Sequence, residues 1–519
     1  MRRKHLFLLV LLSTTVSISE AQHDVQRNAM IALGQGKGGG FEEALLSTRK
    51  RIDAGKEETD MVYILKALSE GKIDVAVELA EKSLEAGIIS PGRLYAGSGE
   101  LLERLRRDPR FAALPGIAEV GNLIHGPMLG ALTATSASLW VRTKGGHSLT
   151  LELSGEPDSS VILSGAVSTA SSDYTAVLTL KGLQPDQTYE GFVMSGDEKL
   201  APFSFTTGPE KGAEASFKVA FGGGAGFVPG FHSMWKTIKA VEPDALLMLG
   251  DNVYIDDPTG IATQHYCYYR RQSEPLWRKL VSRVPVYSIY DDHDFGTNDC
   301  SPGPEIDKPA WKRPVLEVFR QNWVNPGYGG GKENPGCWYD FSMGSVQFFM
   351  LDGRYYRDQE SGSMLGDFQK KWLFDELNAS EATFKVIVSP VPFTPEIKPG
   401  SRDPWDGFPE EREEIFSFIE TEKIEGVFLV AADRHRTDLR RIDREGSYPL
   451  YEFMSSRLTN LHVHPVVETP GLIWGYNETC SFGVMEFDTR GDDAQVTFRC
   501  IDIEGKEQYS QVLKLSDLR

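Results

Sequence analysis

Leu246-Leu247-Met248-Leu249-Gly250-Asp251-Asn252-Val253-Tyr254 is the stretch from which the rest of the chain is best read. Four apolar residues in a row, without alternation, read as a strand buried on both faces. Gly250 breaks the strand, and Asp251, Asn252 and Tyr254 follow where the chain leaves the sheet edge. Open α/β sheets bind their ligands at the carboxyl ends of strands. A carboxylate, an amide and a phenol are therefore delivered together at the place where such folds do chemistry.

The same event recurs three times downstream. Val286 to Tyr290 leads into Asp291-Asp292-His293-Asp294, with Asn298 and Asp299 close behind. Phe348 to Leu351 leads into Asp352-Gly353-Arg354-Tyr355-Tyr356-Arg357, and Val427 to Val430 into Asp433-Arg434-His435-Arg436. Carboxylate, amide, phenolate and imidazole suit hard or borderline cations. Interleaved arginines suit phosphate oxygens. Taken singly, a strand-ending Asp is as often a helix cap or turn former, His293 a structural histidine and Arg354 a surface or ion-paired arginine. Four such clusters, each after a buried strand, point to one polyvalent site.

Around these strands the pattern alternates. Further strands are expected at Phe217 to Phe221, Val284 to Ile289, Val346 to Leu351 and Phe384 to Val388, with helices near 264–282, 310–323, 366–379 and 410–422. The strands Tyr451 to Phe453, Gly483 to Phe487 and Val496 to Ile501 are expected to complete a second sheet of a sandwich core. Residues 119–210 read as short alternating strands separated by turns. Leu183-Gln184-Pro185-Asp186-Gln187-Thr188-Tyr189 resembles the corner of a fibronectin type III domain. Residues 22–118 read as helical. Met61 to Leu68 and Ile73 to Leu84 resemble one tetratricopeptide-like pair with stops at Gly71 and Gly87, in an adaptor or capping role, since no further copy follows. Gly34 to Gly40 lacks the Lys-Ser/Thr of a P-loop and reads as a linker.

The 519 residues carry a net charge of −19, which argues against general binding of nucleic acid or anionic membrane. Met1-Arg2-Arg3-Lys4, an apolar core from Leu6 to Leu12 and Ser19-Glu20-Ala21 form an expected signal peptide, residues 1–21, with the mature chain starting at Gln22 in the periplasm or outside the cell. No other run is long enough to span a bilayer. None of the five cysteines has CxxC spacing, so a thiolate zinc site is not expected. Export favours one or two disulfides plus a buried thiol.

Residues 211–502 resemble the metallophosphatase domain of the alkaline phosphatase D (PhoD-like) family. The matching motifs are Gly250-Asp251-Asn252-x-Tyr254, Asp291-Asp292-His293-Asp294 with Asn298, Leu351-Asp352-Gly353-Arg354-x-Tyr356-Arg357, Val388-Ser389-x-Val391-Pro392-Phe393 and Ala432-Asp433-Arg434-His435. The resemblance implies an α/β fold for 211–519, a four-layer metallophosphoesterase β-sandwich with flanking helices. Ahead of it lie the fibronectin III-like sandwich and the small helical segment. It also implies hydrolysis of small phosphoesters, mono- or diesters, by a metal-bound hydroxide, with iron and calcium as cofactors. By position, Asp251 would bridge metals and Tyr254 would bind ferric iron. Asp292, Asn298, Asp433 and His435 would complete the metal shells, Arg354 would grip phosphate and His293 would serve as leaving-group acid. One departure stands out. Where the family's first strand usually ends in Ser-Cys, with the cysteine on iron, this chain has Gly222-Gly223-Gly224-Ala225-Gly226. Either the glycine amides form an anion nest, or His232 or His464 supplies a ligand, or the site binds phosphoesters without turning them over. A zinc or calcium hydrolase of another ester class is a weaker alternative. Arg270 and Arg271, on a tyrosine-rich helix, read as surface ion pairs or a substrate face. His462 and His464 read as paired ligands or as a polar loop, and Trp405 as a lid or packing.

Overall fold

The computed structural model describes residues 25–36, 56–96, 99–154, 161–469 and 471–519. The expected signal peptide and residues 37–40 of the glycine-rich stretch lie outside these.

Continuous apolar runs become strands covered on both sides, and successive side chains show why. In the strand Val346–Met350, Phe348 faces the central core while Phe349 faces a second core under two helices; Val386 and Ile387, then Phe428 and Leu429, repeat the division. These strands belong to a seven-stranded sheet ordered 339–343, 346–350, 384–388, 427–431, 450–455, 437–442, 472–476. A ten-stranded sheet faces it, ordered 507–514, 495–502, 481–488, 216–222, 245–249, 286–289, 123–130, 136–143, 175–181, 162–164. Phe487 of the larger sheet meets Phe348, Phe384 and Phe428 of the smaller at ring distances of 5.9, 6.0 and 6.3 Å, which fixes the two sheets face to face. Helices Gly366–Ala379 and Pro409–Thr421 cover the smaller sheet through Leu373, Leu377, Ile415 and Ile419.

Several expectations are corrected. The 264–282 helix is two, Ile261–Ser273 and Pro275–Val281, because Pro275 cannot continue the first and Glu274 caps the second through the Trp277 amide. The C-terminal strands divide: Leu450–Ser455 joins the smaller sheet, while Ser481–Asp488 and Gln495–Asp502 extend the larger. All five cysteines are free thiols, so the expected disulfides are absent. The stretch from 123 to 206 does pair strands over its own apolar core, with Leu139, Val141, Val193 and Phe203 inside. One of its sheets, however, is continuous with the larger sheet through the parallel pairing of Gly130 with Val286. The fibronectin-like reading therefore rests on the corner alone, where the Gln184 amide donates to the Tyr189 hydroxyl at 2.9 Å.

The helical pair is Lys56–Ser69 and Ile73–Glu85, ended by Gly71 and Gly87 at positive φ. A further helix of the segment read as helical, Val25–Gly34, packs against both Lys56–Ser69 and Ile261–Ser273. Its position carries Arg27, Asn28 and Ile31 to the wall of the pocket described next.

Candidate active site

The strands Ser216–Gly222, Ala245–Leu249 and Val286–Ile289 run parallel and side by side, so their carboxyl ends open on one edge. Residues 427–431 of the facing sheet end at the same place. Between them lies a pocket of about 500 Å³ lined by Asp251, Tyr254, Asp256, His293, Asn298, Asp299, Lys398, Asp433, Arg434, His435, His462 and His464, and by the N-terminal helix. Asp251, Tyr254, Asp433 and His435 all hold φ between 44° and 68°, a region that side chains other than glycine, Asn and Asp seldom adopt. Such strain persists where surrounding structure imposes it, commonly at functional sites.

The contacts are close. Tyr254 Oη donates to Asp251 Oδ2 at 2.9 Å and lies 2.7 Å from His435 Nε2. One ligand atom from each of Asp251, Asp292 and His293 falls within 4.8 Å of the others, as for Asp292, Asp299 and Asp403. Asp294 instead acts as a brace: it accepts from the Asn252 and Val253 amides at 3.0 and 2.9 Å and so ties the two acidic turns together. His293 Nδ1 bonds Asp256 Oδ1 at 2.5 Å, and Arg27 pairs with the other oxygen of Asp256.

Charge is out of balance in this cluster. Burial raises the Asp251 carboxyl well above its ordinary range, and Asp292 and Asp433 push the same way. Burial likewise raises Asp291, with Asp292 and Asp251 adding to it against the pull of Arg354. Burial opposes a charge on His293, but Asp256, Asp292 and Asp251 together raise it well above the usual histidine value. Burial and the Asp251 carboxylate hold the Tyr254 phenol protonated. Asp251 Oδ1, Asn252 Oδ1 and Asp291 Oδ2 are buried without a hydrogen-bond partner. Crowded carboxylates with orphaned oxygens are what a cation relieves, so the donor set fits metal ions.

Several residues depart from the sequence reading. Arg354 lines no part of the pocket. It is fully buried, with Nε on Asp291 and Nη1 on Asp403 at 2.7 Å, so it braces carboxylates instead of presenting itself to phosphate. Arg434, whose Nε has no partner, is the arginine at the pocket wall. The glycines form no anion nest, because the Gly223 amide donates to Ser455 O at 3.2 Å and the Gly224 amide to Gly250 O at 3.3 Å. His232 stays away, edge-on to Phe227. Arg270 and Arg271 are core residues; Arg270 lies over the Phe227 ring, and Arg271 over Trp235, bonding the Ala225 and Gly226 carbonyls. Trp405 is packing: it is fully buried, stacked on Phe393 and bonded to Ser389. Burial keeps His435, His462 and His464 neutral, pushing them down to about 3, 4 and 2. Asp256, Lys398, Asp403 and Arg27 were missed. Of these only Asp256 carried a signal, as an acidic residue close behind the first motif turn.

The comparisons with known proteins agree with this geometry. Alkaline phosphatase D of Bacillus subtilis (strain 168) is 24% identical over 305 residues, 49% of this chain and 52% of that protein, so the chain spans about half the length of this curated relative. The solved structure described as PhoD superposes with a TM-score of 0.61 at 18% identity, over 74% of this chain and 88% of that one. Purple acid phosphatase PPD1 from yellow lupin (Lupinus luteus) seeds gives 0.56 at 11% identity, over 75% and 74%. These two likenesses establish a shared fold. A family model for a domain of unknown function, DUF7800, matches residues 120–211. The model of the PhoD-like phosphatases matches residues 219–492, more than half of the chain and all four strand-end clusters, and the protein belongs to the PhoD-like phosphatase family.

Proposed function

We propose that the protein is an exported, metal-dependent phosphoesterase acting on small phosphate mono- or diesters. The observation that carries this reading is the meeting of Asp251, Tyr254, His293 and His435 from three distant segments at one pocket, with Asp292 clustered beside Asp251 and His293. Asp251, Asp292 and Tyr254, with Asn298, Asp433 and His435 at the rim, would hold the cations. When bound, these supply positive charge against phosphoryl oxygens and lower the pKa of water at neutral pH. Iron, with Tyr254 among its ligands, and calcium are the metals implied by the family resemblance.

The chain's own residues do the rest. Arg434 orients phosphate oxygens through its free donors. His293, charged and clamped by Asp256, hands its proton to the departing oxygen. Arg27 holds Asp256 in place, and Ile31 narrows the mouth.

A test sets an aryl phosphate monoester and diester side by side. Hydrolysis of one or both, lost on chelation and in Asp251→Ala, is expected. Phosphate binding without turnover would favour a non-catalytic binding protein, the reading that the ligand-free Gly222–Gly224 end supports. A visible charge-transfer band is expected from iron on Tyr254; colourless, iron-free, active protein would reject iron alone. Export is tested by sequencing the N-terminus of secreted protein: it is expected to begin at Gln22, and a start at Met1 would reject cleavage.

A further inference from the structure

We infer that His462 and His464, with His435 shared with the carboxylate cluster through its contact with Tyr254, form a second, nitrogen-donor metal site suited to a borderline divalent cation of the zinc class and opening on the same pocket. One ring nitrogen of each lies within 4.8 Å of the other two. His462 Nε2 and His464 Nε2 are 3.0 Å apart, and the ring centres are separated by 4.4, 5.2 and 5.5 Å. Metal–nitrogen bonds of ~2.0–2.1 Å place the nitrogens of a tetrahedral site ~3.3 Å apart, so small ring rotations close the set on one ion. His435 is 6% exposed, and its Nδ1 is buried without a partner. Histidine pairs on loops are commonly just solvated. Here two come from one segment and the third from the end of a strand nearly thirty residues earlier.

The segment bearing His462 and His464 is held at both ends. The Leu458 and Thr459 amides donate to Gly223 O and Gly224 O at 3.0 and 3.2 Å, and Thr459 Oγ1 to Gly226 O at 2.6 Å. Asn460 Oδ1 accepts from the His462 amide at 2.9 Å, and Asn477 Nδ2 donates to His464 O at 2.9 Å. This docking is possible because residues 222–224 lack side chains: a Cβ would lie 2.7 Å from Leu458 Cδ2 at Gly222 and 2.8 Å from Arg457 N at Gly224. The glycine run thus seats a histidine-bearing segment. Three imidazoles with no carboxylate among them favour zinc-like ions over calcium. Since all three line the pocket, a further coordination position faces the solvent side.

The inference goes beyond the phosphoesterase reading, and its test reads metal instead of turnover. Metal-free protein is titrated with Co(II), with bound equivalents counted by elemental analysis and the visible ligand-field spectrum recorded. Asp251→Ala is expected to retain one equivalent with an imidazole-type, four-coordinate spectrum, whatever happens to hydrolysis. His462→Ala/His464→Ala is expected to lose one equivalent and that spectrum. Its thermal midpoint without metal should be unchanged, because both side chains are partly exposed. Should the alanine pair unfold, His462→Gln and His464→Gln made singly give the same readout. Unchanged stoichiometry and spectrum in the histidine variants would overturn the site, as would loss of that spectrum in Asp251→Ala alone.

Discussion

Two neighbouring strand ends do opposite things. Ala245–Leu249 and Ser216–Gly222 pair in parallel register, Met248 beside Gly222. The first ends in Gly250, whose φ of 101° turns the chain so that Asp251 delivers a carboxylate. A Cβ on Gly250 would sit 2.5 Å from Asp291 Cβ, so glycine is what lets the two acidic turns touch. The second end delivers nothing of its own. Its glycines accept the 455–460 backbone so closely that a Cβ on Gly224 would lie 2.8 Å from Arg457 N and 2.9 Å from Ser456 Oγ. One end contributes by the side chain it carries, the other by the chain it admits.

That difference can be broken from either side. Asp251→Ala removes the delivered carboxylate. Hydrolysis of an aryl phosphate is expected to fall roughly 10⁴-fold, about 5 kcal/mol of barrier, with the fold intact by circular dichroism. Arg354→Ala leaves Asp291 without its buried arginine behind the same end, while Asp403 keeps Arg357 and Lys398. A loss of about 3–5 kcal/mol in urea unfolding is expected, much more than a surface arginine would cause. Gly224→Ala crowds the admitted segment at Ser456 and Arg457. A loss of about 1–3 kcal/mol is expected in urea unfolding, along with weakened cobalt binding at the histidines and smaller change at the carboxylates. If Gly224→Ala folds and binds metal like the parent, the seating role of the glycines is wrong. Arg27→Ala frees Asp256 and loosens His293. A fall in kcat of roughly tenfold, with KM moving less, is expected for a residue that positions the acid without touching phosphate.

The same pair shows what was legible in the sequence. Asp251, Asp292 and His435 could be found because each follows an unbroken apolar run, and such a run has only one place to end in a sheet buried on both faces. Arg354 follows the same kind of run but was misread, since an arginine beside an aspartate serves equally as a phosphate clamp or as an ion pair. Asp403 decides between them, and it lies 49 residues away in a stretch with no motif. Gly222–Gly224 signalled close approach correctly but not of what. Only the Ser455 and Gly250 carbonyls, accepting the Gly223 and Gly224 amides, exclude an anion. Arg27 was invisible because its pairing with Asp256 spans 229 residues between a helix and a turn that share no pattern. The cysteine count and the expectation of export suggested bridges, yet no sequence feature states whether two thiols meet.

The most direct test restores metal to stripped protein. Iron, calcium and zinc are added singly and in pairs to metal-free enzyme while nitrophenolate release is followed, in parallel with Asp251→Ala. The expected result is background hydrolysis without metal, a rise to a plateau at a whole number of equivalents in the parent, and no rise in the variant. Metal-free protein that hydrolyses the ester as fast as untreated protein, or a variant restored to the parent's plateau, would contradict convergence of the strand-end carboxylates on catalytic cations.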